Sequence, residues 1–146
     1  MRRNRNQGLD PGLRGLTNSR TIVNWGRDLS RSSVHLARIV SQARKRGTRV
    51  ISIWPGGDGY ETFSDTLIRV APGQDRFLAL AAVKLLLDRK GLDPDTIRAV
   101  SGWSGFRRVL DSWTVSELAA QCGVGVHTAE LLAGIYAGDR VSSLIG

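Results

Sequence analysis

Two short apolar runs most narrow the folds open to this chain. They are Thr21-Ile22-Val23-Asn24-Trp25, closed by Gly26, and Val50-Ile51-Ser52-Ile53-Trp54, closed by Pro55-Gly56-Gly57. Their length and β-branched content predict strands buried on both faces. Between them Leu36, Ile39, Val40 and Ala43 recur at helical spacing. Arg38, Gln42, Arg44 and Lys45 take the other face, and Gly47 follows as a C-terminal stop. Strand, helix and strand in that order form the crossover unit of a parallel sheet.

The rest of the chain extends the pattern. Thr66-Leu67-Ile68-Arg69-Val70 reads as a third strand, and Ala71-Pro72-Gly73-Gln74-Asp75 as a turn. Asp75 is placed to cap a helix from about Arg76 to Asp88, which is apolar on nearly every side and so expected to be deeply packed. Gly91 ends it, and Asp93-Pro94 opens the next helix with a cap and a proline at its first position. Thr114-Val115-Ser116-Glu117 is a capping box starting a short helix to about Cys122. A helix from about His127 to Ala137 follows, and Val141 to Gly146 reads as a strand just beginning. Residues 1–18, rich in Gly, Arg and Asn, read as a loop or loose arm.

This order predicts an α/β fold, a mostly parallel sheet with flanking helices of the dinucleotide-binding kind. A parallel sheet needs both faces covered, and this sequence stops at a fresh strand, so an incomplete domain is expected. Ligands of such sheets sit beyond the carboxyl ends of the strands. Three loops leave those ends: Gly26-Arg27-Asp28, Pro55-Gly56-Gly57 and Pro72-Gly73-Gln74-Asp75. Gly56, Gly57 and Gly59 are spaced as neither a dinucleotide fingerprint nor a P-loop.

Composition restricts function. A net charge of +8 favours anionic partners, phosphates or nucleic acid, without choosing between them. Cys122 is the only cysteine, which excludes an internal disulfide framework, a cysteine zinc site and a complete iron–sulfur cluster within this chain. It reads as a small core residue. No apolar run is long enough to span a bilayer, and the basic N-terminus (Arg2, Arg3, Arg5) is not followed by an apolar stretch, so the chain as it stands is expected in the cytoplasm.

The segment Thr21-Ile22-Val23-Asn24-Trp25-Gly26-Arg27-Asp28, continuing to Ser33-Val34-His35-Leu36, resembles a signature of the molybdopterin oxidoreductases, where a strand ends in Trp-Gly-x-Asn before a helix. Ala43-Arg44-Lys45-Arg46-Gly47 with Val50-Ile51-Ser52-Ile53 is similar to the next helix and strand of that family. Arg69-Val70-Ala71-Pro72-Gly73-Gln74-Asp75 resembles its Pro-Gly-x-Asp loop before a long apolar helix. The likeness runs from about Leu16 to the last residue. Two motifs depart from the family pattern: Asp28 stands where Asn is usual, and Trp54-Pro55-Gly56 where Asp-Pro-Arg is usual.

The resemblance implies that residues 19–146 are one α/β segment holding the guanosine diphosphate end of a molybdopterin guanine dinucleotide, a cofactor shared with further domains. It implies a site drawn from Trp25, Gly26, Arg27, Asp28, Pro55, Gly73 and Asp75. The Gly26-Arg27-Asp28 loop would approach the diphosphate or guanosine and Asp75 the guanine base. The family's cysteine cluster and metal ligand would precede residue 1, and the remaining domains of the parent oxidoreductase would follow Gly146, so no catalytic residue is expected here. Physical chemistry fits that division. Glycine lets backbone approach phosphate, and a carboxylate accepts the paired N–H groups of guanine's edge.

Two other functions stay open. Glu117-Leu118-Ala119-Ala120-Gln121-Cys122-Gly123-Val124 followed by Thr128-Ala129-Glu130-Leu131-Leu132 resembles a helix-turn-helix, which with the positive charge fits a DNA-binding module. Its second helix offers His127, Thr128 and Glu130 but no lysine or arginine, which disfavours nucleic acid. The other is a stand-alone paralogue that kept the fold and lost the cofactor.

Overall fold

A computed structural model describes residues 11–31, 33–57, 61–91, 93–138 and 140–146. The first ten residues and Gly59 lie outside it. The chain divides into two units: residues 1–68 with 139–146, and residues 69–138.

The first unit is built on a four-stranded sheet in the order β3-β2-β1-β4. The strands are β1 (Thr21–Trp25), β2 (Arg49–Trp54), β3 (Thr66–Arg69) and β4 (Val141–Ile145). β1 lies in the middle, and its pairings with β2 and with β4 are both parallel. Residues 21–24 and 50–53 are buried, as expected for strands covered on both faces. Helix α2 (Val34–Lys45) lays Leu36, Val40 and Ala43 on the sheet. With Leu16, Ile22, Leu29 and Val50 these form one apolar cluster. Ser33 caps α2 by accepting a hydrogen bond from the Leu36 amide.

The loose arm expected at residues 1–18 needs correction over its second half: α1 (Pro11–Asn18) is helical. Two glycines and the absence of acidic residues in its first turn hide it from local reading. What holds it is tertiary, since Leu16 is buried in the α2 cluster. Ser19 closes the helix end, bonding the Gly15 carbonyl and the Ser142 hydroxyl of β4.

β2 and β3 are joined through a short 3-10 turn (Glu61–Phe63). Arg44 of α2 fixes this crossing by donating to Asp65 Oδ1 at 2.6 Å and to the carbonyls of Thr62 and Ser64. The other Asp65 oxygen accepts the Val50 amide at 2.8 Å. Burial pushes the Asp65 carboxyl up, but the Val50 amide and the Arg44 guanidinium outweigh it and hold the group below the ordinary carboxylate value.

The second unit is helical. Its elements are α3 (Asp75–Lys90), α4 (Pro94–Ala99), α5 (Trp103–Asp111), α6 (Val115–Gln121) and α7 (Val126–Gly138). α3 packs against α6 and α7. Small residues Ala81 and Ala82 of α3 and Ala119, Ala129 and Ala133 of α6 and α7 are buried beside Leu78, Leu118 and Leu132. The caps read from sequence at Asp93 and Thr114 are present, the latter as a full capping box with Glu117. α5 had no sequence signal because Gly102 precedes it and no side chain caps it.

Two expectations for α3 are corrected. Its N-cap is Gln74, which makes no side-chain cap bond, and Asp75 is the first helical residue. Nor is the helix deeply packed all round. Leu78, Ala81 and Ala82 are buried, whereas Phe77, Leu80, Val83, Leu85 and Leu86 are half-buried.

Candidate functional site

In the strand order β3-β2-β1-β4 the chain moves outward from β1 through β2 to β3, then returns to the other side of β1 as β4. The switch point of this sheet therefore lies between β1 and β4, where the connections leave in opposite directions. Trp25, Gly26, Arg27 and Asp28 stand at the carboxyl end of β1, on that point. Pro55 stands beside them at the end of β2, since Trp25 pairs with Ile53 and the Gly26 amide donates to the Ile53 carbonyl.

Gly26 turns the chain out of β1 with φ of 70°, and nothing lies within 4 Å of where a side-chain Cβ would stand. A left-handed backbone with open space beside it favours glycine and leaves room for a ligand against the main chain. At Arg27, the guanidinium reaches across the switch point and donates from Nη1 to the Ile145 carbonyl of β4 at 3.4 Å. Its Nε is buried and, among the described residues, has no acceptor. A buried cationic donor without an acceptor is expensive, and its natural complement is an anionic oxygen.

Asp28 has a different task. Its Oδ1 accepts from the Ser30 hydroxyl at 2.6 Å, the Ser30 amide at 2.9 Å and the Arg31 amide at 3.0 Å. The carboxylate folds back to close its own loop. The Ser30 hydroxyl first, then the Arg31 and Ser30 amides, hold its carboxyl below the ordinary value.

The end of β4 closes in tightly. The Gly146 amide donates to the Trp25 carbonyl at 2.9 Å, and a Cβ on Gly146 would stand 2.8 Å from the Arg27 backbone. Gly146 is thus a close-approach glycine at the switch point, unmarked in the sequence because its need arises only where two loops cross.

Sequence reasoning also missed Asn24. Its buried amide accepts the Arg27 amide at 3.2 Å and donates to the Arg27 carbonyl at 2.9 Å. A polar residue inside an otherwise apolar strand was the available signal, since Asn is depleted from strands.

The structure thus brings Trp25, Gly26, Arg27, Asp28 and Pro55 together on one sheet edge. Gly73 and Asp75 belong to the second unit. There Gly73 takes φ of 71° in the turn before α3, closed by the Gln74 amide on the Ala71 carbonyl. The Asp75 carboxylate, half-buried in the first turn of α3, engages no hydrogen-bond partner among the described residues. In the same unit α6 and α7 are bent by 106°, within the range of a helix-turn-helix, but α7 carries no lysine or arginine. No single helix among the described residues is long and apolar enough to cross a membrane.

The chain is 32% identical over 130 residues to a probable oxidoreductase of Bacillus subtilis, YyaE, covering 88% of this chain and 20% of that protein. The chain is homologous to a segment of the molybdopterin oxidoreductases. The assimilatory nitrate reductase catalytic subunit of Bacillus subtilis is 23% identical over 82% of the chain and 17% of its own length. Among solved structures, acetylene hydratase from Pelobacter acetylenicus superposes with a TM-score of 0.71 over 92% of this chain and 20% of that one, at 16% identity. That likeness establishes the α/β fold, as the alternation of strands and helices predicts. No protein-family model matches the chain. The chain spans about a fifth of the length of these relatives.

Proposed function

We propose that this chain is part of a molybdopterin-dependent oxidoreductase and that its first unit binds the guanosine diphosphate end of a molybdopterin guanine dinucleotide. The observation that carries this reading is the buried Arg27 Nε at the switch point of the sheet, which has no acceptor among the described residues. A diphosphate oxygen is the acceptor such a donor suits. The space beside Gly26 fits the same ligand, because phosphate binds best where backbone N–H groups can be approached closely.

In this reading Arg27 and the Gly26 backbone hold phosphate, while Trp25 and Pro55 wall the loop ends. Asp28 turns Oδ1 onto its own loop, where the Ser30 hydroxyl and the Ser30 and Arg31 amides donate to it. The metal of such a cofactor supplies two-electron chemistry from outside this chain, and the chain's own residues supply position and electrostatics.

Titration of the full chain with pyrophosphate tests the carrying observation. Arg27→Gln keeps a polar side chain but shortens it and removes the charge, and it should weaken binding at least tenfold. Equal affinity of Arg27→Gln and wild type would refute the assignment.

A further inference from the structure

Asn24 is fully buried in β1, where an apolar side chain would pack without the cost of a desolvated amide. Its partners account for its presence. Oδ1 accepts the Arg27 amide and Nδ2 donates to the Arg27 carbonyl, so one side chain grips both backbone groups of a residue three positions along. Nδ2 also lies 3.3 Å from the Ser52 hydroxyl of β2, which in turn accepts from the Ser64 hydroxyl at 2.6 Å. Ser52 is fully buried and Ser64 nearly so. Three polar side chains from β1, β2 and the segment before β3 thus form a satisfied network under the Gly26–Arg27 turn.

A turn with glycine at its centre has more backbone freedom than any other, and a ligand that needs one conformation must overcome that freedom. We propose that Asn24 is a positioning residue, which with Ser52 and Ser64 sets the Gly26–Arg27 turn in the conformation that receives a diphosphate. Asn24 itself does not touch the ligand and acts through the Arg27 backbone. The inference rests on the phosphate-binding reading of that turn.

The test compares Asn24→Val, Ser52→Ala and Val40→Ala in the full chain, at a temperature where each is folded. Val suits a buried strand and removes both grips on Arg27, whereas Val40→Ala opens a cavity under α2 and leaves the network intact. The readouts are hydrogen exchange of the Arg27 amide and affinity for guanosine diphosphate. Asn24→Val is expected to expose the Arg27 amide to exchange and to weaken binding about tenfold or more, as loss of two ordinary hydrogen bonds implies. Ser52→Ala should give a smaller change in the same direction, and carries the test if Asn24→Val does not fold. Val40→Ala should lower stability while leaving Arg27 exchange and affinity unchanged. Wild-type exchange and affinity in Asn24→Val, or in Ser52→Ala where that variant carries the test, would overturn the positioning role and leave the phosphate reading standing. A wild-type chain that does not bind guanosine diphosphate would overturn that reading, and the proposal with it.

Discussion

Removing the Asp65 carboxylate should destabilise the first unit by about 2–3 kcal/mol, most of it through the Val50 amide. The amide belongs to a fully buried residue and donates to Asp65 Oδ2 at 2.8 Å. In Asp65→Ala that donor loses its partner inside the sheet, a loss of roughly 1–3 kcal/mol. The bond to Arg44 Nε is short at 2.6 Å, but both side chains are 35% exposed, so the ion pair is discounted to the surface range of about 0.2–1 kcal/mol. For a chain of this size the sum corresponds to a fall of about 5–10 °C in Tm. Urea denaturation followed by tryptophan fluorescence measures the global effect, and exchange of the Val50 amide measures the local one. The pH dependence has a definite sign. The Asp65 carboxyl is held below its ordinary value in the folded chain, so its contribution is present above the unfolded carboxylate value and is lost as pH falls through the folded one. The gap between wild type and Asp65→Ala should be constant above about pH 5 and close in acid. A variant within about 0.5 kcal/mol of wild type with a protected Val50 amide would refute the reasoning.

Three further outcomes follow from particular contacts. Gly146→Ala brings a Cβ to 2.8 Å from the Arg27 backbone, so the amide resonances of Gly26 and Arg27 should shift and stability fall by about 1 kcal/mol; unmoved resonances would count against the close crossing. Leu118→Ala, at a fully buried position of α6, should cost about 2–5 kcal/mol in urea unfolding, and a loss under 1 kcal/mol would mean the α3–α6–α7 core is loosely packed. Asp28→Asn keeps an acceptor for the Ser30 and Arg31 amides, so the loop should hold, while loss of a negative charge should tighten pyrophosphate binding. Weaker binding in that variant would mean that the Asp28 charge itself serves the site.

The parts of the fold that sequence made legible are those decided within a few residues. β1 and β2 were readable because their apolar runs are bounded by Gly26 and by Pro55-Gly56, and α6 because Thr114 and Glu117 satisfy each other's backbone. α1 and α5 were not. One depends on Leu16 reaching a distant cluster, and the other begins after a left-handed glycine without a capping side chain. Asp75 shows the limit from the other side, since its residue type is right for a cap but the chain places Gln74 there. For the candidate site, the Gly26–Asp28 loop was visible as a motif, while its supports were not. Gly146 matters only because β4 returns beside β1, and Asn24 only because the chain turns back over it. Residues that act across a sheet acquire their role from topology, which no local pattern records.

The most direct test of the central claim is calorimetric titration of the full chain with guanosine diphosphate and, separately, adenosine diphosphate. Measurable binding of guanosine diphosphate is expected, tighter than adenosine diphosphate and weakened by Arg27→Gln through the phosphates. No binding of either nucleotide, or binding that ignores the Arg27 substitution, would contradict the central claim.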